Sequence, residues 1–315
     1  MARGTQWKTD DIPDLIDRTY VVTGATSGLG LATAVELARH RATVVVTGRN
    51  ADRLQTSWEA VAADASGPEP LQVLMDLADL ASVRQAATEI IEATDKIDVL
   101  VNNAGVMATP QNVTADGFEL QIGTNHLGHF ALTGLLLNAM PIDDPTADNR
   151  VVNVSSGAHR MGKVNVGDLN YEDRSYNPWQ AYGQSKLANL LFTLELEKKA
   201  NAAGWSLSSL AAHPGWSATN LQFSGPKMAQ NIIGKYTTQV ANRIVGQSAE
   251  AGALPQIRAA TDPTAKSGEY YGPDGFMEMR GKPVLVDRSS AAQDEVTAAE
   301  LWNLSEELTG VVYPN

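Results

Sequence analysis

Tyr20-Val-Val-Thr-Gly-Ala-Thr-Ser-Gly-Leu-Gly30 decides how the chain is read. A short apolar run ends in three glycines, Gly24, Gly28 and Gly30, and a helical pattern follows at once. Leu31, Val35, Leu37 and Ala38 supply its apolar face, and Ala32, Ala34 and Glu36 are good helix formers. A buried strand that turns directly into a helix aims free backbone N–H groups and a positive dipole end at whatever lies beyond the turn. Glycines let an anion approach that backbone closely, as the pyrophosphate of a dinucleotide would. The same residues also suit a plain tight turn, so the choice falls to the rest of the chain.

The pattern repeats downstream. Runs at 42–47, 71–75, 97–101, 150–154 and 206–212 read as strands, with a shorter one at 269–271. Helical patterns lie between them. One follows Asn50 as N-cap, with Leu54, Trp58 and Val61 inward, and one spans 79–93. A long one passes through Leu127, Phe130 and Leu135 to the break at Pro141. Others cover 181–203, about 226–260, and about 290–308 up to Gly310, while 157–180 reads as a loop. Strands alternating with helices predict βαβ units, and right-handed crossovers wind these into a Rossmann sheet. The expected fold is therefore α/β: one doubly wound, mostly parallel sheet of about seven strands with helices on both faces. Residues 1–17 are expected as a lead-in and 18–315 as a single domain, with about 216–260 forming a substrate-side helical region.

Composition narrows the function. Hydrophobic residues at 43% give ample core, and 24 Lys and Arg against 36 Asp and Glu leave a net charge of −12. That balance argues against a nucleic-acid or anionic-membrane surface, although a local basic pocket could still hold a phosphate. With no cysteine, disulfides, thiolate metal sites and a Cys nucleophile are excluded. No signal core and no apolar stretch long enough for a membrane span are evident, so a cytoplasmic address is expected. No Gly-x-Ser-x-Gly elbow supports hydrolysis. His126 and His129 stand at i, i+3 without an evident third ligand, and no metal is expected.

In a doubly wound sheet, ligands bind beyond the carboxyl ends of the strands. Those ends carry 24–30, Arg49, Asp76, 102–105, Ser155-Ser156 and Pro214-Gly215. A cofactor with a free ribose 2′-OH calls for an acidic residue after the second strand, but Gly48-Arg49 stands there. A guanidinium pairs with a 2′-phosphate, so NADP(H) is favoured and NAD(H) is the alternative. Asp76 suits a bond near the adenine, or a simple turn. Tyr182-Gly-Gln-Ser-Lys186 places a phenol and an ammonium on one helical face. A nearby cation is expected to lower the tyrosine's pKa from about 10 toward the working range.

Together, 23–30, Asn102-Asn-Ala-Gly105, Asn125, Ser156, Tyr182 with Lys186, and Pro214-Gly215 resemble the short-chain dehydrogenase/reductase family over about residues 18–310. Thr124-Asn-His-Leu-Gly-His-Phe130, Val151-Val-Asn-Val-Ser-Ser-Gly-Ala-His159, His213-Pro-Gly215 and Trp302-Asn-Leu-Ser-Glu-Glu-Leu-Thr-Gly310 are similar to its retinol dehydrogenase and protochlorophyllide reductase branch. The resemblance implies that Tyr182 exchanges the proton, Lys186 lowers its pKa and holds ribose hydroxyls, and Ser156, the second serine of its pair, binds the substrate oxygen. Asn125 would anchor a water linked to Lys186. It further implies a cofactor cradle of Gly24, Thr26, Ser27, Gly28, Leu29 and Gly30. Arg49, Asp76 and Leu77 would follow it, then Asn103, Ala104 and Gly105, with Tyr182 and Lys186 shared. Pro214, Gly215 and Thr219 would bind the nicotinamide. One departure is Ser27, where many NADP users carry a basic residue, so cofactor preference rests on Arg49.

The expected activity is NADP-dependent hydride transfer between a carbonyl and an alcohol, on an apolar, retinal-like or other lipophilic substrate. A catalytically silent NADP-binding sensor and an epimerase or dehydratase are the alternatives. Retention of Asn125, Ser156, Tyr182 and Lys186 argues against the sensor, and the glycine spacing against the third. Trp179, Trp216, Phe223, Met228, Ile232 and Tyr236 would line the substrate mouth, or else belong to core or interface. Homo-oligomer formation is left open.

Overall fold

The computed structural model describes residues 7–215 and 247–314. Within them the apolar runs lie side by side in one eight-stranded sheet, in the order β3-β2-β1-β4-β5-β6-β7-β8. The strands are β1 (Thr19–Val22), β2 (Thr43–Gly48), β3 (Leu71–Leu74), β4 (Val99–Asn102), β5 (Asn149–Val154), β6 (Leu207–Ala212) and β7 (Tyr270–Pro273). All seven run parallel, and β8 (Pro283–Leu285) is antiparallel to β7. The eighth strand escaped the sequence reading because it has three residues and begins with a proline, tolerated there at a sheet edge.

Both faces of the sheet are covered, which is why the strands read as continuous apolar runs rather than alternating ones. Val21, Val45, Leu100 and Val151 enter one core together with α3 (Leu80–Ala93). Tyr20, Val22, Val44, Val46 and Val152 enter the other with α1 (Gly28–Arg39). The lead-in joins this second core: a 3-10 turn at Thr9–Asp11 sits between buried Trp7 and the buried pair Ile12 and Leu15. No helix among the described residues is long and apolar enough to cross a membrane.

Helix starts follow their caps. Asn50 accepts from the Arg53 N–H at 2.9 Å and opens α2 (Ala51–Asp64), and Asp79 opens α3 in the same manner. The long region before Pro141 is not one α-helix. It divides into α4 (Leu120–Ile122), a π turn (Gly123–Leu127), α5 (Gly128–Leu136) and a 3-10 turn (Leu137–Ala139). The expected loop at 157–180 contains 3-10 turns at Gly157–Met161 and Val166–Asp168. Asn177 caps α6 (Pro178–Ala203), whose first residue is a proline, and the helix stops at left-handed Gly204. Of the region expected at 226–260, α7 (Ala249–Thr261) is described. Thr219, Trp216, Phe223, Met228, Ile232 and Tyr236 lie outside the described residues.

The closing helix α8 (Glu295–Thr309) seals the α5–α6 side. Trp302 packs with ring centroids 5.1 Å from Phe130, 5.8 Å from Phe192 and 4.4 Å from Tyr313. Truncating this buried indole should leave a large cavity, so Trp302→Ala is expected to lower unfolding free energy by about 3–5 kcal/mol. Denaturant titration checks this, and a loss under about 1 kcal/mol would show that α8 is not a core element.

Candidate active site

The strand order reverses between β1 and β4, and a cleft of about 230 Å³ opens at their carboxyl ends. Its floor depends on missing side chains. A Cβ on Gly30 would fall 2.5 Å from both the Gly24 carbonyl oxygen and Asn103 Nδ2, so α1 rests directly on the turn. Gly24 and Gly28 have φ of +66° and +56°, a conformation that glycine adopts without strain. Ser27, at the N-cap of α1, makes no side-chain cap bond. The first N–H groups of the helix are thus left to a ligand, which fits a pyrophosphate.

The wall of the cleft contains Thr26, Ser27, Leu29, Asp76 and Leu77 from the expected set, then Asn103, Ala104 and Gly105. Arg49 is there, and so is Arg53, which the sequence reading missed. The signal was present: Arg53 stands four residues after Arg49, in the first turn of α2. A guanidinium N–H of Arg53 reaches the Thr26 carbonyl at 3.4 Å, holding it beside the cradle. Val106 and Thr124, at the inner end, were also missed. Asp76 makes the turn bond, its Oδ1 accepting from the Ala78 N–H at 3.0 Å, and the residue also lines the cleft.

The second group of candidates meets at that inner end. Ser155 and Ser156 follow β5 and separate at once. Ser155 is buried and donates to the Lys186 carbonyl at 2.8 Å, a structural bond. Ser156 is half-buried; its hydroxyl accepts from the Ala158 N–H at 3.2 Å and hydrogen-bonds the Tyr182 phenol. One turn further along α6, Lys186 places Nζ 5.9 Å from the Tyr182 ring centroid and donates to the Val154 carbonyl at 2.9 Å.

Asn125 sits in the π turn. Its Oδ1 accepts from the Val106 N–H at 2.7 Å, and its Nδ2 donates to the Val106 carbonyl and to Ser185 Oγ, both at 2.9 Å. Gly105 lies between it and the lysine. A Cβ at Gly105 would stand 3.0 Å from Asn125 Oδ1 and 3.5 Å from Lys186 Nζ. Asn125, Ser156, Tyr182 and Lys186 are therefore brought together.

The electrostatics correct one expectation. Burial pushes the Tyr182 phenol up to about 12, and the hydrogen bond with Ser156 opposes this only in part. Lys186 is not among the groups that lower it: the ammonium donates to the Val154 carbonyl, with Nζ 5.9 Å from the ring centroid. Burial also lowers Lys186 itself to about 8. His126 and His129 are driven down to about 3 and about 4 by burial and are neutral. Their partners are Ser305 for His126, and Asn125 and Thr23 for His129. Among the described residues no group of three His, Cys, Asp or Glu could hold a metal ion.

Pro214 and Gly215 stand at the end of β6, apart from the cleft lining. The Pro214 carbonyl accepts from Gln247 Nε2 at 2.6 Å, and a Cβ on Gly215 would fall 2.5 Å from the Met279 carbonyl oxygen.

Residues 18–229 match the short chain dehydrogenase family. The chain belongs to the short-chain dehydrogenase/reductase family. It is similar to retinol dehydrogenase 13 of Homo sapiens, 35% identical over 304 residues that cover 95% of this chain and 86% of that protein. Polyprenol dehydrogenase of Homo sapiens is 33% identical over 306 residues, covering 95% of this chain and 87% of that protein. A solved structure from Mycobacterium paratuberculosis shares 43% identity, covers 99% of this chain and 100% of its own, and gives a TM-score of 0.79. As a member of the family the chain is an NAD(P)-dependent oxidoreductase acting on CH–OH groups.

Lys186 generates a prediction that needs no substrate. Its folded pKa lies below its unfolded value of about 10.4, so the fold carries the full penalty of a buried charge below about pH 8. The penalty fades as pH rises from 8 and vanishes above both values. Lys186→Met should therefore stabilise the protein at pH 7, on the order of 1–3 kcal/mol, with the gain shrinking toward pH 10. A melting temperature that falls at pH 7 would contradict this.

Proposed function

We propose that this short-chain dehydrogenase/reductase uses NADP(H) to interconvert an apolar carbonyl compound and its alcohol. The observation that carries the proposal is one arrangement: a protonated phenol, a serine hydroxyl and a buried ammonium stand at the inner end of a cleft whose wall carries two guanidinium groups. The nicotinamide would supply or accept the hydride when bound. Tyr182 gives its phenolic proton to the carbonyl oxygen in reduction and recovers one from the alcohol in oxidation. Ser156 holds the same oxygen by a hydrogen bond, and Asn125 keeps the wall at Val106 in place. The Lys186 ammonium favours the phenolate as it forms, in a site where water screens little.

Arg49 and Arg53 would hold a 2′-phosphate, which NAD(H) lacks, so NAD(H) is the weaker ligand in this reading. The glycine turn and the uncapped start of α1 would take the pyrophosphate, and Asp76 and Leu77 would border the adenine. Pro214, Gly215 and Thr219 would meet the nicotinamide.

Two features support an apolar substrate. Trp179 is 47% exposed and meets the Tyr182 ring edge-on at 6.3 Å, leaving an open aromatic face beside the phenol. The two curated relatives are named for retinol and polyprenol, both apolar alcohols.

A panel of aliphatic, aromatic and isoprenoid aldehydes and ketones, run with NADPH and NADH, tests the proposal. Reduction of the apolar members with NADPH is expected, and tight NADPH binding without turnover on any member would favour the silent sensor instead. Tyr182→Phe should abolish turnover while leaving the NADPH Kd within about threefold; surviving turnover would remove Tyr182 as the acid. Arg49→Asp should weaken NADPH by about 10–100-fold and NADH by far less, as expected for losing a charged hydrogen-bond partner. An unchanged ratio of the two affinities would remove the 2′-phosphate assignment.

A further inference from the structure

His129 belongs to neither half of the site yet touches both. It stands in the first turn of α5, one turn after Asn125, and is 1% exposed. The π turn brings the Asn125 carbonyl to 2.9 Å from His129 Nδ1. A carbonyl can only accept, so Nδ1 carries the proton, and the neutral ring leaves Nε2 as an acceptor. Burial holds the ring neutral.

The other nitrogen settles a second proton. Nε2 is 2.8 Å from Thr23 Oγ, so the Thr23 hydroxyl donates to it. The alternative acceptor, the Val101 carbonyl, is 3.3 Å away and already receives the N–H groups of Thr23 and Asn103. With its proton committed to His129, Thr23 Oγ accepts from the N–H groups of Asn103 at 2.9 Å and Ala104 at 3.0 Å. Those two residues, with Gly105, form the strand end that lines the cleft. One imidazole thus spans from the carbonyl of Asn125 to the backbone of the dinucleotide cradle.

We propose that His129 is a positioning residue: bridging Thr23 and the Asn125 carbonyl, it sets the spacing between the strand ends that hold the dinucleotide and the π turn that carries Asn125 to Lys186. The inference rests on the proposed reading of the cleft as a nicotinamide dinucleotide site. A histidine that merely fills the core would show no specific coupling to Thr23.

The test is a double-mutant cycle on the full chain, read by fluorescence titration with NADPH. His129→Asn keeps an N–H at the δ position for the Asn125 carbonyl but cannot reach Thr23, and Thr23→Val removes the hydroxyl. Each is expected to weaken NADPH about tenfold, while the double variant is no more than about threefold weaker than either. Effects that multiply to about a hundredfold overturn the proposal. His129→Gln, which can present an acceptor to Thr23, should recover binding to within about threefold of wild type; binding as weak as that of His129→Asn overturns it.

Two readouts need no ligand. In the cofactor-free protein, His129→Asn should speed amide exchange at Asn103 and Ala104 about tenfold and leave the rest of β4 unchanged. Uniform acceleration through the core would mean general destabilisation and would overturn the coupling. In the wild type, imidazole 15N shifts should show the proton on Nδ1 and an accepted bond at Nε2 between about pH 5 and 8. A ring protonated on Nε2 overturns the assignment. If the wild type binds neither NADPH nor NADH, the proposed function fails, while the exchange and 15N measurements still judge the bridge.

Discussion

A buried ammonium governs the organisation of this molecule's inner cleft. Lys186 is 2% exposed, and among the described residues it has no carboxylate within ion-pair distance; its Nζ donates to the Val154 carbonyl at 2.9 Å. A cation so placed is destabilising on its own. Its surroundings are arranged to tolerate it: the strand end of β5 turns a carbonyl toward it, and Asn189 shares that carbonyl at 3.1 Å. Replacing it by an apolar residue would suit the fold better, because the penalty of a buried charge would go with it.

The opposite side of the cleft obeys a different constraint, the close approach of backbone to backbone. Gly24 lies under Ala104 and Gly30 lies over Gly24, so α1, β1 and the β4 strand end are stacked without intervening side chains. A cradle made of main chain is stiff and carries little information about its ligand beyond charge and shape. Charged side chains enter at the wall, where Arg49 and Arg53 line the cleft. The two constraints meet at Gly105, which belongs to both.

This division explains what could be read in the sequence. Gly24, Gly28 and Gly30, the apolar strand runs and the Tyr182–Lys186 spacing are local signals, set by backbone sterics and by helical period, and they appear in the fold where expected. Arg53 was legible as the i+4 neighbour of Arg49 but was passed over because a second charge in a helix's first turn is ordinary. The π turn was not legible: Gly123–Leu127 has the composition of a plain α-helix, and the partners of its Asn125 side chain, Val106 and Ser185, lie far away in the chain. β8 was hidden by its length. The distinction between Ser155 and Ser156 came from resemblance alone until the strand end gave one of them to the Lys186 carbonyl.

The tyrosine's acidity could not have been read from spacing, because spacing records the cation and not the burial. With the phenol at about 12 and the lysine at about 8, the fold has pushed apart two groups whose free values nearly coincide. Burial drives both toward their neutral forms, which raises the phenol and lowers the ammonium. A phenol at about 12 is a weak acid, and a phenolate at that buried site is costly unless positive charge faces it. The lysine is already in place at 5.9 Å, aimed elsewhere. An ammonium facing the ring instead of the Val154 carbonyl would oppose the effect of burial on the phenol, because a nearby cation favours the phenolate.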